Sequence, residues 1–179
     1  MAKTIECSLS TKSIDKALKE IEKYKTELLN KEKRFRYELS HIGLTEASIR
    51  FTTAICDGVN DSHLTLKPIP NGYAIVAKGK VVTFIEFGTG IYHNPSEPYP
   101  NPRPSGIVGI GEYGDGKGGR TYESGEPMPW VYNGKAGANG IPLKNGAVMT
   151  KGIPASMPMW YATEEMKNSI LKIAREVFK

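Results

Sequence analysis

Two short blocks bracket the least regular part of this chain, and they set most of what it can fold into. The first, Val81 to Gly90 (VVTFIEFGTG), reads as a strand running into a tight glycine turn. The second, Thr150 to Lys167 (TKGIPASMPMWYATEEMK), reads as a turn followed by a proline-marked helix start. The chain leaves a folded body at Gly88–Gly90 and returns to it near Pro154–Pro158, with roughly sixty residues thrown out between. Glu86, Gly88, Thr89, Gly90, Gly152, Pro154 and Pro158 are the junction residues of that excursion. Nothing inside it carries an active-site pattern, which points to an assembly part and away from an enzyme.

At 179 residues the chain suits one domain, 1–179, which can hide roughly 70% of its extended surface without a staple. The net charge of +5 permits contact with nucleic acid or an acidic protein face without demanding either. Cys7 and Cys56 are the only cysteines, far apart and outside any CxxC pattern, and read as two buried or half-buried thiols in a reducing compartment. The first residues, MAKTIECSLS, lack a signal-peptide apolar core, and no run is long enough to span a membrane. A cytoplasmic protein is expected.

Residues 3–9 alternate weakly and suggest a short strand. Ser10 or Thr11 then caps a long helix whose apolar positions Ile14, Leu18, Ile21, Leu28, Phe35, Leu39 and Ile42 fall on one stripe. The rest of it is charged, with nine Lys or Arg against six Asp or Glu between Lys12 and Glu38. Gly43 is the expected stop, and Thr45 restarts a second helical piece that runs to Gly58. Three strand candidates come next: His63–Lys67, Tyr73–Ala77 after a turn at Pro68–Gly72, and Val81–Phe87 after Lys78–Lys80. Glu86 alone breaks the third, either on a solvent or edge face or as an anchor for the amides of Gly88–Gly90.

Residues 88–152 hold 15 of the 19 glycines, and five prolines between Pro95 and Pro104 favour extended backbone. Residues 88–128 therefore read as a flexible insertion loop. Pro129–Asn133 and Ala147–Thr150 look like two strands of a hairpin that rejoins the sheet. The clearest helix is the last, starting at Pro158, with Met159, Ala162, Met166, Ile170, Ile173, Ala174 and Val177 on one side, acids early and bases late.

The motifs of common catalytic and metal sites are missing from the sequence. Gly111–Gly118 (GEYGDGKG) misses a phosphate loop at its last position, where a Ser or Thr should bind magnesium, and the adjoining GRTYESGEP stretch is not helical. His41, His63 and His93 have no partner at metal-ligand spacing, and neither HExxH nor GxSxG occurs. No catalytic, cofactor-binding or metal residue is assigned. The loop does mix aromatic and basic residues: Tyr92, Tyr99, Arg103, Tyr113, Lys117, Arg120 and Tyr122, with Trp130 just beyond. Such a mix serves a nucleic-acid-binding module or a protein interface. Glu97, Glu112, Asp115, Glu123 and Glu126 cancel much of its charge and favour the interface.

The pattern Ile85-Glu86-Phe87-Gly88-Thr89-Gly90, a long insert, Trp130-Val131-Tyr132, Thr150-Lys151-Gly152-Ile153-Pro154-Ala155 and Met157-Pro158-Met159-Trp160-Tyr161-Ala162 resembles the tail completion (neck, head–tail joining) proteins of tailed bacteriophages. Met159 stands where members of that family commonly have Phe. The resemblance implies an α+β protomer, with a long N-terminal helix and a C-terminal helix packed on an antiparallel sheet. It implies a structural virion protein of a phage or prophage, made in the bacterial host cytoplasm and placed in a typically hexameric ring at the virion neck. Its partners would be other copies of itself, the head-side connector or head completion protein, and the tail terminator or tail tube protein. Contact with packaged DNA would be incidental; neither catalysis, cofactor nor membrane is implied. The loop and the charged face of the N-terminal helix are the expected contact surfaces.

Overall fold

The computed structural model describes residues 4–56, 58–89, 124, 129–133, 140–153 and 155–179. The fold is α+β. Its largest element is a single helix, α1 (Thr11–Thr53), of 43 residues, which at 1.5 Å per residue spans about 64 Å. Ser10 starts it: its side-chain oxygen accepts the amide of Ser13, and its carbonyl accepts that of Ile14. Ser13 Oγ in turn accepts the amide of Ser8 at 2.9 Å. Residues 4–8 therefore lead into a cap, and the strand expected over 3–9 does not form among those described. Ion pairs one turn apart (Lys23–Glu27, Glu32–Arg36, Arg34–Glu38, Glu46–Arg50) lace the exposed side.

Gly43 does not stop this helix. It lies inside α1 with Ser40 and Ala47 on the buried face. A Cβ on Gly43 would sit 2.8 Å from Ile75 Cδ1 and collide with the Met166 sulfur. The glycine allows close approach of three elements, and packing overrides its low helix propensity. The helix ends instead at Thr53, where Asn60 Nδ2 donates to the carbonyl of Phe51 at 2.7 Å.

Strands β1 (His63–Ile69) and β2 (Gly72–Lys78) form an antiparallel hairpin in which Leu66 faces Ile75 and Ile69 faces Gly72. The turn is thus Pro70–Asn71, shorter than the Pro68–Gly72 expected. The segment read as a third strand is a short helix, α2 (Val82–Phe87). Ile85 and Glu86 are both buried. Neighbours in a strand point to opposite faces, whereas neighbours in a helix lie about 100° apart and can both turn inward. Asp61 prepares this helix by accepting the amides of Lys80 (3.0 Å) and Val81 (3.2 Å).

The remaining strands are β3 (Trp130–Tyr132), β4 (Ile141–Pro142) and β5 (Val148–Thr150). β3 pairs with β5 antiparallel, Trp130 opposite Thr150, so the two expected strands do pair, but they do not rejoin β1–β2. They make a separate three-stranded sheet in the order β3-β5-β4. The closing helix, α3 (Pro158–Val177), packs along α1. Contacts Arg50–Tyr161, Gly43–Met166 and Phe35–Phe178 fix the two as antiparallel.

The core is one cluster, Ala47, Phe51, Cys56, Ile85, Ile153 and Ala162, with Leu64, Ala77, Val82 and Met159 against it. It sits under the C-terminal half of α1. The stripe expected to be buried throughout is open at its start: Ile14, Leu18, Ile21 and Leu28 are exposed. Cys56 is buried as expected, while Cys7 is exposed. No helix among the described residues is long and apolar enough to cross a membrane.

Candidate functional site

The two bracketing blocks meet. Thr89 donates its amide to the Ile153 carbonyl at 2.9 Å, and its hydroxyl accepts the Ile153 amide at 3.0 Å. The Ser156 amide donates to the Ile85 carbonyl at 2.8 Å. Three hydrogen bonds therefore tie residues 85–89 to residues 153–156, across a sequence separation of 64 for the Thr89–Ile153 pair. This is a clasp that closes the neck of the insertion, so the body beneath can be rigid whatever lies beyond.

Backbone geometry feeds the clasp from both sides. Gly88 takes φ 74° and donates its amide to the Phe84 carbonyl, ending α2 in one step. Gly152 takes φ 94° and donates to Thr150 Oγ1 at 2.9 Å. Both angles lie where a side chain is strained, which explains glycine at these two positions.

Glu86 fastens the clasp to α3. Oε2 accepts the amide of Met159 at 2.9 Å and Oε1 that of Trp160 at 3.2 Å. Pro158 has no amide to satisfy, and the Tyr161 amide goes back to the Met157 carbonyl at 3.1 Å. Every amide of the first turn of α3 is thus accounted for, and the N-cap residue itself, Met157, supplies no side-chain bond. A carboxylate at a helix N-terminus is doubly favourable, through the hydrogen bonds and through the helix dipole. Burial nevertheless dominates and pushes the Glu86 carboxyl above its ordinary range, with the Met159 and Trp160 amides pulling the other way. Asp61, exposed and fed by the Lys80 amide, is held below its ordinary range.

Sequence reading places Glu86 either at a solvent face or on the amides of Gly88–Gly90. It is buried, and it serves amides 73 and 74 residues on. Of the junction set, Glu86, Gly88, Thr89, Gly152 and Pro158 converge here; Gly90 and Pro154 lie outside the described residues. Of the contact set, Trp130 is half-buried at the start of β3; Tyr92, Tyr99, Arg103, Tyr113, Lys117, Arg120 and Tyr122 lie outside the described residues, as does the Gly111–Gly118 stretch. Ile153, Ser156 and Asp61 do not stand out from sequence as members of a site. Asp61 alone carries a signal, as a turn residue ahead of a strand.

Among the described residues no group of three or more His, Cys, Asp or Glu could hold a metal ion. A shallow hollow of about 280 Å³ beside Arg50, Thr53, Ala54, Ile55 and Ser156 holds one titratable group, Arg50, which is engaged with Glu46 and the Tyr161 ring. No family model, curated protein or solved structure matches this chain.

Proposed function

We propose that the chain is a tail completion (neck, head–tail joining) protein of a tailed phage or prophage. It would form a ring, typically hexameric in such assemblies, between the head-side connector or head completion protein and the tail terminator or tail tube protein. The observation that supports this best is the clasp: Ile85, Glu86 and Thr89 of one motif that carries the resemblance bond Ile153, Ser156, Met159 and Trp160 of the other. A body closed at the neck of its insertion suits a part that is completed by its neighbours. A head-to-tail ring needs two different patches per subunit, for which the insertion and the exposed charged face of α1 are the candidates. The protein would act in the host cytoplasm during assembly and in the virion neck afterwards.

The alternative, a nucleic-acid-binding module using the basic helix and the Arg/Tyr loop, draws less support from the helix. Lys23, Arg34, Arg36 and Arg50 each face a glutamate one turn away, which leaves less positive charge for phosphates. Deleting the gene from its phage or prophage tests the proposal. Filled heads and finished tails should accumulate unjoined, and added protein should join them; normal virions without the protein would end this reading. Duplex DNA titrated at two ionic strengths tests the alternative, which requires binding that weakens steeply with salt.

A further inference from the structure

The apolar seam of α1 is covered in one half and open in the other. From Lys31 onward it is occupied by α3, running antiparallel: Phe35 packs on Phe178 with ring centroids 5.9 Å apart, and Lys31 Nζ donates to the Lys179 carbonyl at 2.6 Å. Beyond that point α3 is finished, yet the seam goes on toward the N-terminus. Ile14, Ile21, Leu28 and Phe35 recur every seven residues, the period that holds a stripe against a partner helix. Ile14, Leu18, Ile21, Tyr24, Leu28 and Leu29 are between 41% (Ile14) and 54% (Leu18) exposed, and Ala17 is the one buried residue of residues 11–30. An open apolar strip along about 30 Å of helix is toward the upper end of what a monomer leaves to water, and patches of that size often mark a binding surface.

We propose that this strip is covered by the same strip of a second copy, lying antiparallel. Length and direction select that occupant. Residues 11–30 leave uncovered a stretch that the arm of another copy, equal in length by construction, fills end to end. In the antiparallel sense the second arm prolongs the path of α3, and the positive N-terminal end of one α1 abuts the negative C-terminal end of the other copy's α3. The two bodies then stand at opposite ends. A parallel pair would instead wedge two α3 helices between the arms just past Lys31. Charge allows the contact: Lys12, Lys16, Lys19, Lys23 and Lys25 are nearly balanced by Asp15, Glu20, Glu22 and Glu27. Two such half-exposed strips remove on the order of 1,000 Å² together, at the lower edge of what a specific pair needs. The contact is isologous and so differs from the head-to-tail contact of a ring; it stands or falls apart from the neck assignment.

Sedimentation of the full chain over a wide concentration range tests it. The native protein should dimerise, and Ile21→Glu and Leu28→Glu should each weaken the dimer at least about tenfold while circular dichroism and melting of the body stay unchanged. Orientation is read separately in a Cys7→Ser background with a short bismaleimide. The double variant Ile14→Cys/Leu28→Cys should cross-link into dimers, and Leu28→Cys alone should not. A protein that stays monomeric at all concentrations, a dimer indifferent to both glutamates, or efficient cross-linking of Leu28→Cys alone would each overturn the proposal.

Discussion

The two halves of α1 are built from similar material and live in different surroundings. Residues 11–30 and residues 31–53 both alternate an apolar stripe with charges and both form uninterrupted helix, with one ion pair a turn apart in the first and three in the second. In the second half the stripe narrows to small residues (Ser40, Gly43, Ala47) that let α3 and β2 come close, and it ends on Phe51, which is 1% exposed. In the first half the stripe keeps its bulky aliphatics and leaves them in water. Small residues mark a contact completed within the chain; large exposed ones mark a contact left to another molecule.

Truncation gives the largest expected contrast between the halves. Phe51→Ala opens a cavity at the centre of the core cluster and should cost about 3–5 kcal/mol of unfolding free energy. Leu28→Ala, at protein concentrations too low for association, should stay within about 0.5 kcal/mol of the native value. Urea denaturation of both variants checks this. A Leu28→Ala loss comparable to that of Phe51→Ala would mean that the arm is packed against its own chain and that the contrast is false.

The clasp is the next test, because Glu86 anchors the start of α3, the helix that covers the second half. Glu86→Ala leaves two amides of α3 without their acceptor and should cost about 1–3 kcal/mol near neutral pH. The pH dependence has a definite sign. The folded-state carboxyl titrates above the ordinary 4.5, so the folded protein holds this proton more tightly than the unfolded chain does. The contribution of Glu86 is therefore greatest below the ordinary value and falls as pH rises through the raised one. Glu86→Gln should remove that downward component. A native-minus-Gln difference that is flat, or that rises with pH across this window, would show that the two amides outweigh burial.

Much of this architecture is legible in the sequence where local pattern and tertiary demand agree. The stripe of α3, the β1–β2 hairpin and the two strand segments around Trp130–Tyr132 and Val148–Thr150 are readable from spacing alone, though not the register of the last pair or the separate sheet it joins. Legibility fails where a long-range contact outvotes propensity. Val81–Phe87 is composed almost entirely of strand formers, yet Ile85 must reach the core while its neighbour Glu86 reaches the amides of Met159 and Trp160, and only a helical turn does both. Gly43 has the chemistry of a helix stop and serves as a notch for Met166. The clasp is half visible: its glycines, its threonine and Pro158 stand out, but nothing local says that Glu86 pairs with a helix far along the chain.

The smallest expected effect concerns how α3 starts. Met157 adopts φ 49° and ψ 46°, the one non-glycine residue with positive φ among those described. Left-handed backbone costs an L-residue about 1–2 kcal/mol. It is imposed here because the chain must turn from the clasp at Ser156 into Pro158 within one residue while the Met157 carbonyl stays aimed at the Tyr161 amide. Comparing Met157→Gly with Met157→Ala isolates the backbone, since both lose the same half-buried side chain. Within a helix alanine is better than glycine by about 1 kcal/mol. At this position the order should invert, with the glycine variant the more stable by roughly 1 kcal/mol and melting correspondingly higher. Alanine equal to glycine would mean that the turn relaxes once the methionine is gone. The clasp would then guide α3 without constraining it, and the second half of α1 would owe its cover to packing alone.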